Sequence, residues 1–246
     1  MENEYIKKII LFIHASYDKR LGAYKIAAVL KRDYGIKISV GRVYRLMKTM
    51  NLPKMSTQKP RFHGFADSPD CNNKLEQAFN QKAPNLVWVS DITYLRVAGH
   101  FYYLCAILDL YSRKIIAWDI ATRQDADLVI KVFRKAYALR GEPRGLMFHS
   151  DRGTQYTSFS FRQLLDSLNV VQSFSKKGHP YDNAVMECFF RYLKHEETNR
   201  RNYHNQDELR KSLFKYIDGY YNSRRPHGSL SYLTPNQVED QYFGRA

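Results

Sequence analysis

Cysteine is scarce in this chain and badly spaced for any framework. Cys71, Cys105 and Cys188 are the only three, odd in number, far apart and without a C-x-x-C pair. Neither a disulfide scaffold nor a thiolate zinc site is indicated, and a reducing cytoplasm fits. Long apolar runs are also missing. The opening stretch, MENEYIKKIILFIHASY, holds an apolar patch too short and too broken for a signal peptide or a membrane span. There is no internal repeat and no low-complexity tract. Acid is the third shortage: 24 Asp and Glu face 39 Lys and Arg, for a net charge of +15. That surplus points to a polyanionic partner, with nucleic acid first, although a basic soluble protein without such a partner carries the same signature.

What is present divides the chain. With 44% hydrophobic residues over 246 positions, a packed core is available to one large domain or two small ones. Residues 1–85 carry 16 Lys and Arg against 7 Asp and Glu, and the remainder 23 against 17, so positive charge is densest in the first third. That third reads as helical. Ile26, Val29 and Leu30 recur at helical spacing, and Gly35 supplies a turn. Ser39 is placed to cap a second helix whose stripe is Val43, Leu46, Met47 and Met50, ending at Pro53. Arg42, Arg45 and Lys48 fall on the opposite face. The pattern is a helix-turn-helix candidate over residues 1–52, or equally a small bundle with a solvated charged face. Residues 53–84 are polar and weakly periodic, and read as a linker with a short helix near Lys74 to Asn80.

From residue 85 the period changes. LVWVSDITYL, HFYYLCAILDLYS and RKIIAWDIAT are rich in β-branched and aromatic residues with short breaks, which predicts antiparallel neighbours. A helix capped by Asp125 and closed by Gly141 follows, then a strand in GLMFHSD, a helix, a strand in VVQSFS, and helices near 184–197 and 207–221. This is an α/β sheet with helices packed on it, with a core over 85–222 and a C-terminal tail over 223–246. Asp91 lies within the first strand and Asp151 at the end of the fourth, where ligand sites of such sheets gather. Glu187 opens the next helix after GHPYDNAVME, with Asp182 or Asn183 as its cap. A core stripe of Val185, Cys188, Phe189 and Tyr192 leaves Glu187, Arg191 and Lys194 on the other side. Three converging carboxylates repel one another unless cations neutralise them, and hard divalent ions do so at phosphodiesters. Taken singly, each acid is more often a turn residue or an ion-pair partner, and the triple gains weight only jointly.

The spacing and the surrounding words then carry a resemblance. Thirty-five residues separate Asp151 from Glu187. With Asp91 upstream, this resembles the DD(35)E signature of retroviral-integrase-like transposases. WVSDITYL, LDLYSRKIIAW, FHSDRGTQYTS, GHPYDNAVMECFFRYLKHE and YNSRRPHGSLSYLTP resemble the OrfB transposases of bacterial insertion sequences. Lys194, seven residues after Glu187, matches the basic residue of the family's DDE-K pattern. The resemblance covers about residues 85–240, and the N-terminal helices resemble the helix-turn-helix that precedes the core. It implies an RNase H-like core, a mixed five-stranded sheet with helices, and catalysis by Asp91, Asp151 and Glu187. These would hold two Mg2+ ions, with Mn2+ able to substitute. It implies cutting and joining of DNA at terminal inverted repeats and target sites by a homo-oligomer on DNA in the bacterial cytoplasm, at the nucleoid and away from membranes. An upstream-frame OrfA protein is a further implied partner: the family's fused form carries that part, and this chain starts at Met1 without it. No His-His-Cys-Cys zinc module of the retroviral integrases is visible.

Other residues are weighed beside these. Asp109 is a rival acid that reads as structural, and Asp119 as a charge on the sheet surface. His149 shares a face with Asp151 and reads as a packed, hydrogen-bonded histidine. Gly153 is expected to permit the turn that presents Asp151, with Thr154 and Gln155 as candidate phosphate contacts. Lys176, Lys177 and His179 form a basic loop before Glu187, and with Arg191 and Lys194 are candidate DNA contacts. Arg224 and Arg225 either meet phosphates or brace a helix end. Two other classes stay open on the residues alone: a non-catalytic DNA-binding regulator, which needs no acid triple, and an RNase H-type hydrolase, against which the basic N-terminal part counts. No Ser or Tyr nucleophile site is apparent, consistent with strand transfer without a covalent protein–DNA bond.

Overall fold

The computed structural model describes residues 2–52, 71–176 and 180–244; Lys177 and His179 lie outside them. These residues form two compact units. In the first, helices α1 (Glu2–Ser16), α2 (Ala23–Tyr34) and α3 (Val40–Thr49) pack together. Gly35 ends α2 at φ +67° and gives its N–H to the Leu30 carbonyl, a left-handed cap that suits glycine. Four residues later Ser39 starts α3 by accepting the Arg42 N–H. Ile26, Val29, Leu30, Val43, Leu46 and Met47 are buried as their spacing predicts, joined by Ile6, Ile9, Ile10 and Ile13 from α1.

The second unit is built on a mixed sheet in the order β3-β2-β1-β4-β5. Its strands are β1 (Val87–Val97), β2 (His100–Asp109), β3 (Ile115–Ala121), β4 (Met147–Ser150) and β5 (Val171–Phe174). The first three are antiparallel, and β1, β4 and β5 are parallel. This is the RNase H-like arrangement. Helix α4 (Ala126–Leu139) begins where Asp125 accepts the Leu128 N–H, and Gly141 follows it at φ +68°. With α5 (Thr154–Thr157) and α6 (Phe159–Ser167) it covers one face of the sheet. There Trp88, Phe133, Phe148 and Phe161 interlock, Phe133 and Phe148 meeting edge to face at 5.4 Å. Truncating a ring such as Phe133 would cost about 3–5 kcal/mol. Among the described residues, no helix is long and apolar enough to cross a membrane.

Several expectations change here. Residues 74–80 form a turn, not a helix. The N–H groups of Lys74 and Leu75 bond to Ser173 Oγ, Phe174 bonds back to Asn72, and Glu76 and Gln77 take positive φ. Pairing with β5 wins over a weak helical pattern. Helix α7 (Ala184–Glu196) buries Met186, Phe189, Phe190 and Leu193; of the expected stripe, Val185, Cys188 and Tyr192 are only partly buried. The helix is apolar almost all round, so spacing alone could not choose the face that meets the sheet. Helix α8 (Gln206–Phe214) runs on through a π-helical stretch, Lys215–Tyr221. The expected tail is divided. Residues 225–234 group with the N-terminal helices, whereas α9 (Pro235–Phe243) belongs to the sheet unit. There Glu239 accepts from Ser112, Lys114 and Arg140.

Candidate active site

The site starts from strand register. Val89 on β1 pairs with His149 on β4 in parallel. Two residues further on stand Asp91, still within β1, and Asp151, just past the end of β4, so the register directs the two acids to the same face of the sheet. Both carboxylates are aimed by local backbone: Asp91 Oδ1 accepts the Ile92 N–H at 2.7 Å, and Asp151 Oδ1 accepts the Gly153 N–H at 3.0 Å. Helix α7 brings the third acid. Asn183, just before it, donates from Nδ2 to the Ser90 carbonyl at 3.2 Å, pinning the start of the helix one residue from Asp91. Glu187 lies one turn further along, on the exposed side with Arg191.

Electrostatics records the convergence. Burial, then the charge of Asp151, and also that of Glu187, push Asp91 well above the usual carboxylate range; the Ile92 N–H and Lys194 only partly offset this. Burial raises Asp151 against the pull of the Gly153 N–H, and raises Glu187 against that of Arg191. Burial lowers Lys194, with Asp91 opposing. Asp91 is therefore held among like charges with little water and too little positive charge to balance it, while Glu187 reaches the group from the exposed side. As a donor set the three carboxylates are hard oxygens without His or Cys, which suits Mg2+. Among the described residues, no three Asp, Glu, His or Cys side chains enclose a single ion position as they stand.

The remaining residues sort clearly. Asp109 sits opposite Trp88, three positions along from the Asp91–Ala106 pair, and so on the other face. It is buried, and its carboxylate accepts the N–H groups of Asn85 and Tyr111, holding turns. Asp119 is not a surface charge: it is buried and bridges Lys131 and Arg210, both at 2.7 Å. His149 is packed as expected, between Ser173 Oγ at 2.9 Å and Ser175 Oγ at 3.2 Å, and burial lowers its pKa to about 4. Gly153 has φ −57°, so conformational freedom is not its use. A Cβ there would stand 2.4 Å from Gln155 Nε2 and 3.0 Å from Asp151 Oδ1; space is the requirement. Thr154 is exposed, but Gln155 is buried and unsuited to meeting a phosphate.

Asp182 and Asn183 give α7 no side-chain cap. Asp182 instead accepts from Asn73, Gln77 and the Lys176 N–H, each at 2.8 Å, and so fixes the chain before α7. Nothing in the spacing announced this, because the two side-chain donors are about a hundred residues away. Also unforeseen is Tyr156, fully buried, whose hydroxyl bonds Ser90 Oγ at 2.8 Å beside Asp91. On α3, Arg45 and Lys48 are exposed. Arg42 is engaged within its own unit, by Asn3 at 2.8 Å and Glu2 at 3.2 Å. Lys176 and Arg224 are exposed, and Arg225 is buried.

Comparison with known proteins agrees with this geometry. Two integrase core domain models match residues 81–180 and 168–235, and an HTH-like domain model matches residues 2–61. The chain is 35% identical over 241 residues to the transposase for insertion sequence element IS904 of Lactococcus lactis subsp. lactis (strain IL1403), covering 97% of this chain and 95% of that protein. It is 32% identical to transposase InsF for insertion sequence IS3A of Escherichia coli (strain K12), covering 97% and 83%. A chain of the simian T-cell lymphotropic virus intasome, solved by cryo-EM in complex with PP2A regulatory subunit B56 gamma, aligns over 95% of this chain and 73% of that one. Its TM-score is 0.50 at 17% identity, a likeness of fold alone.

Proposed function

We infer the reaction from one premise: this chain belongs to the OrfB-type transposases of bacterial insertion sequences, polynucleotidyl transferases with an integrase core and a helix-turn-helix-like DNA-binding part. On our reading it binds the terminal inverted repeats of its element; water attacks a phosphodiester there and frees a 3′-OH, which then attacks a target phosphodiester, joining the end to the target 5′-phosphate and releasing a target 3′-OH. Asp91, Asp151 and Glu187 would hold two Mg2+ ions, or Mn2+ in their place. Bound there, the ions would neutralise the carboxylates and polarise the phosphodiester. The single observation that supports this is the β1–β4 register that sets Asp91 beside Asp151, with the charge of Glu187 reaching Asp91.

The chain's own groups then take distinct parts. Asp91 stands on β1 and Asp151 just past the end of β4, each with a backbone N–H bond aiming it. Glu187 stands on an exposed helix face and is the acid with room to adjust. Lys194, about two helical turns on and roughly 10.5 Å along the axis, would hold the phosphate of a strand lying across the acids. Arg45 and Lys48 of α3, with Arg191 and the loop at Lys176, would contact DNA backbone. Two element ends must be handled together, so we expect several copies on DNA, with an OrfA protein as partner, at the bacterial nucleoid.

A labelled element-end duplex tests this in Mg2+ and in EDTA. Cleavage by the wild-type chain should require the metal, and Asp151→Asn should bind the duplex yet leave it uncut. Cleavage that persists in EDTA, or an Asp151→Asn chain that cuts at the wild-type rate, would overturn the reading.

A further inference from the structure

Beyond the acids lies a cavity of about 850 Å3 at the far end of the β1–β2 hairpin, within the size range of ligand sites, about 300–1,000 Å3. The hairpin turns at Ala98 and Gly99, both at positive φ. The Ala98 N–H donates to the Tyr203 carbonyl at 3.1 Å, and Tyr203 Oη shares a 2.9 Å hydrogen bond with Ser212 Oγ. The chain after α7 is thereby tied to the hairpin, and the cavity is a built feature. Its lining includes Tyr94, Arg96, Phe101, Lys194, Arg201 and His204, and no Asp or Glu.

Two aromatic rings there face solvent. Tyr94 is 60% and Phe101 53% exposed, and they meet edge to face at 5.4 Å. Lys194 Nζ stands 4.7 Å from the Tyr94 ring centre, and its charge is felt at Asp91. Lys194 stands at the edge of the aromatic cavity on the same helix as Glu187, seven residues on. Large rings left in water beside cations, with no neighbouring acid in the lining, are the recipe for holding unpaired nucleic acid: bases stack on the rings while phosphates meet the cations. Arg201 already shares its charge with Glu197 at 2.8 Å, which leaves Arg96 and Lys194 as the main phosphate partners.

We propose that the Tyr94–Phe101 cavity is a stacking site for unpaired nucleotides of the DNA strand that passes Lys194 on its way to the acids. The site is sequence-tolerant, because every base offers a π face, and it favours frayed or single-stranded ends over blunt duplex. This rests on the reading that the neighbouring acids act on DNA.

The test is binding, in EDTA, of a short single-stranded DNA carrying 2-aminopurine to the full chain, with a blunt duplex in parallel. The wild type should quench the fluorophore. Tyr94→Ala and Phe101→Ala should each weaken single-strand binding by about tenfold with blunt-duplex affinity unchanged, and Tyr94→Phe should retain it. Tyr94→Leu and Phe101→Leu, which keep apolar bulk without a π face, take the place of any alanine variant whose thermal melt shows a lost fold. Wild-type single-strand affinity in a chain carrying both Tyr94→Ala and Phe101→Ala, or an equal loss on the blunt duplex, would overturn the proposal. Because no metal is present, the result is independent of whether the chain cuts DNA.

Discussion

The N–H of Gly153 donates to Asp151 Oδ1 at 3.0 Å, and a Cβ on Gly153 would stand 3.0 Å from that same oxygen. The turn aims the carboxylate, and a Cβ there would force the end of the Gln155 side chain to move and press on Asp151 Oδ1. Since φ is −57°, alanine is conformationally acceptable there, and its effect is steric. Gly153→Ala should destabilise the chain by about 1–3 kcal/mol and reduce strand cutting by about tenfold to a hundredfold through displacement of Asp151. Adding Gln155→Ala removes the nearer clash, at 2.4 Å, and should restore part of the activity. Thermal melts and single-turnover cleavage measure both effects. An active, stable Gly153→Ala chain would remove the space argument.

On α3, Arg42 and its neighbours should behave differently. Arg45→Ala and Lys48→Ala remove exposed charges and should weaken duplex binding. The slope of log affinity against log salt should become shallower by about 0.9 for each phosphate that is no longer neutralised. Arg42→Ala breaks the links to Asn3 and Glu2 and should show itself mainly as a lower melting temperature. Salt titrations of all three variants check this. Unchanged slopes for Arg45→Ala and Lys48→Ala would remove this face as a DNA contact.

Lys194 lines the cavity beside Tyr94, and its charge reaches Asp91. Lys194→Ala should therefore impair placement of the strand more than any binding of metal. The expected result is cleavage reduced by about tenfold or more, with the Mg2+ concentration for half-maximal activity little changed. A variant that cuts normally would contradict the assigned part.

Glu239 supplies the pH prediction. Burial raises its carboxyl, but the hydrogen bond from Arg140 and the charges of Arg140 and Lys114 outweigh this and leave it below its usual range. A depressed carboxyl stabilises the fold above its unfolded pKa, about 4.3, and that contribution is lost as pH falls through the folded value. Glu239→Gln should thus destabilise by about 3 kcal/mol at neutral pH, where it leaves two cations short of a partner. The difference from wild type should shrink below about pH 4. Urea melts at neutral and acid pH measure it, and a penalty independent of pH would show that the charge is not what matters.

Much of this protein was legible in one dimension. Helical spacing around Ile26–Leu30 and Val43–Met47 is local, so Gly35 and Ser39 could be read as turn and cap. The three antiparallel strands and the Asp125 cap follow from alternation and short breaks, which are also local. The thirty-five residues between Asp151 and Glu187 are a property of the chain itself. What spacing could not supply was which surfaces meet. Helix α7 is apolar on most sides, and only the sheet chose Met186 and Leu193 over Val185 and Tyr192. Gly153 looked like a flexible turn until Gln155 and Asp151 were seen to occupy the space a side chain would need. Asp119 read as a surface charge and Asp182 as a helix cap until partners distant in sequence closed on them. The end of the chain, read as a tail, contributes a helix whose Glu239 is held by residues about a hundred positions earlier. Local periodicity is decided by neighbours along the chain. Burial, ion pairing and the space around a glycine are decided by residues that only folding brings near.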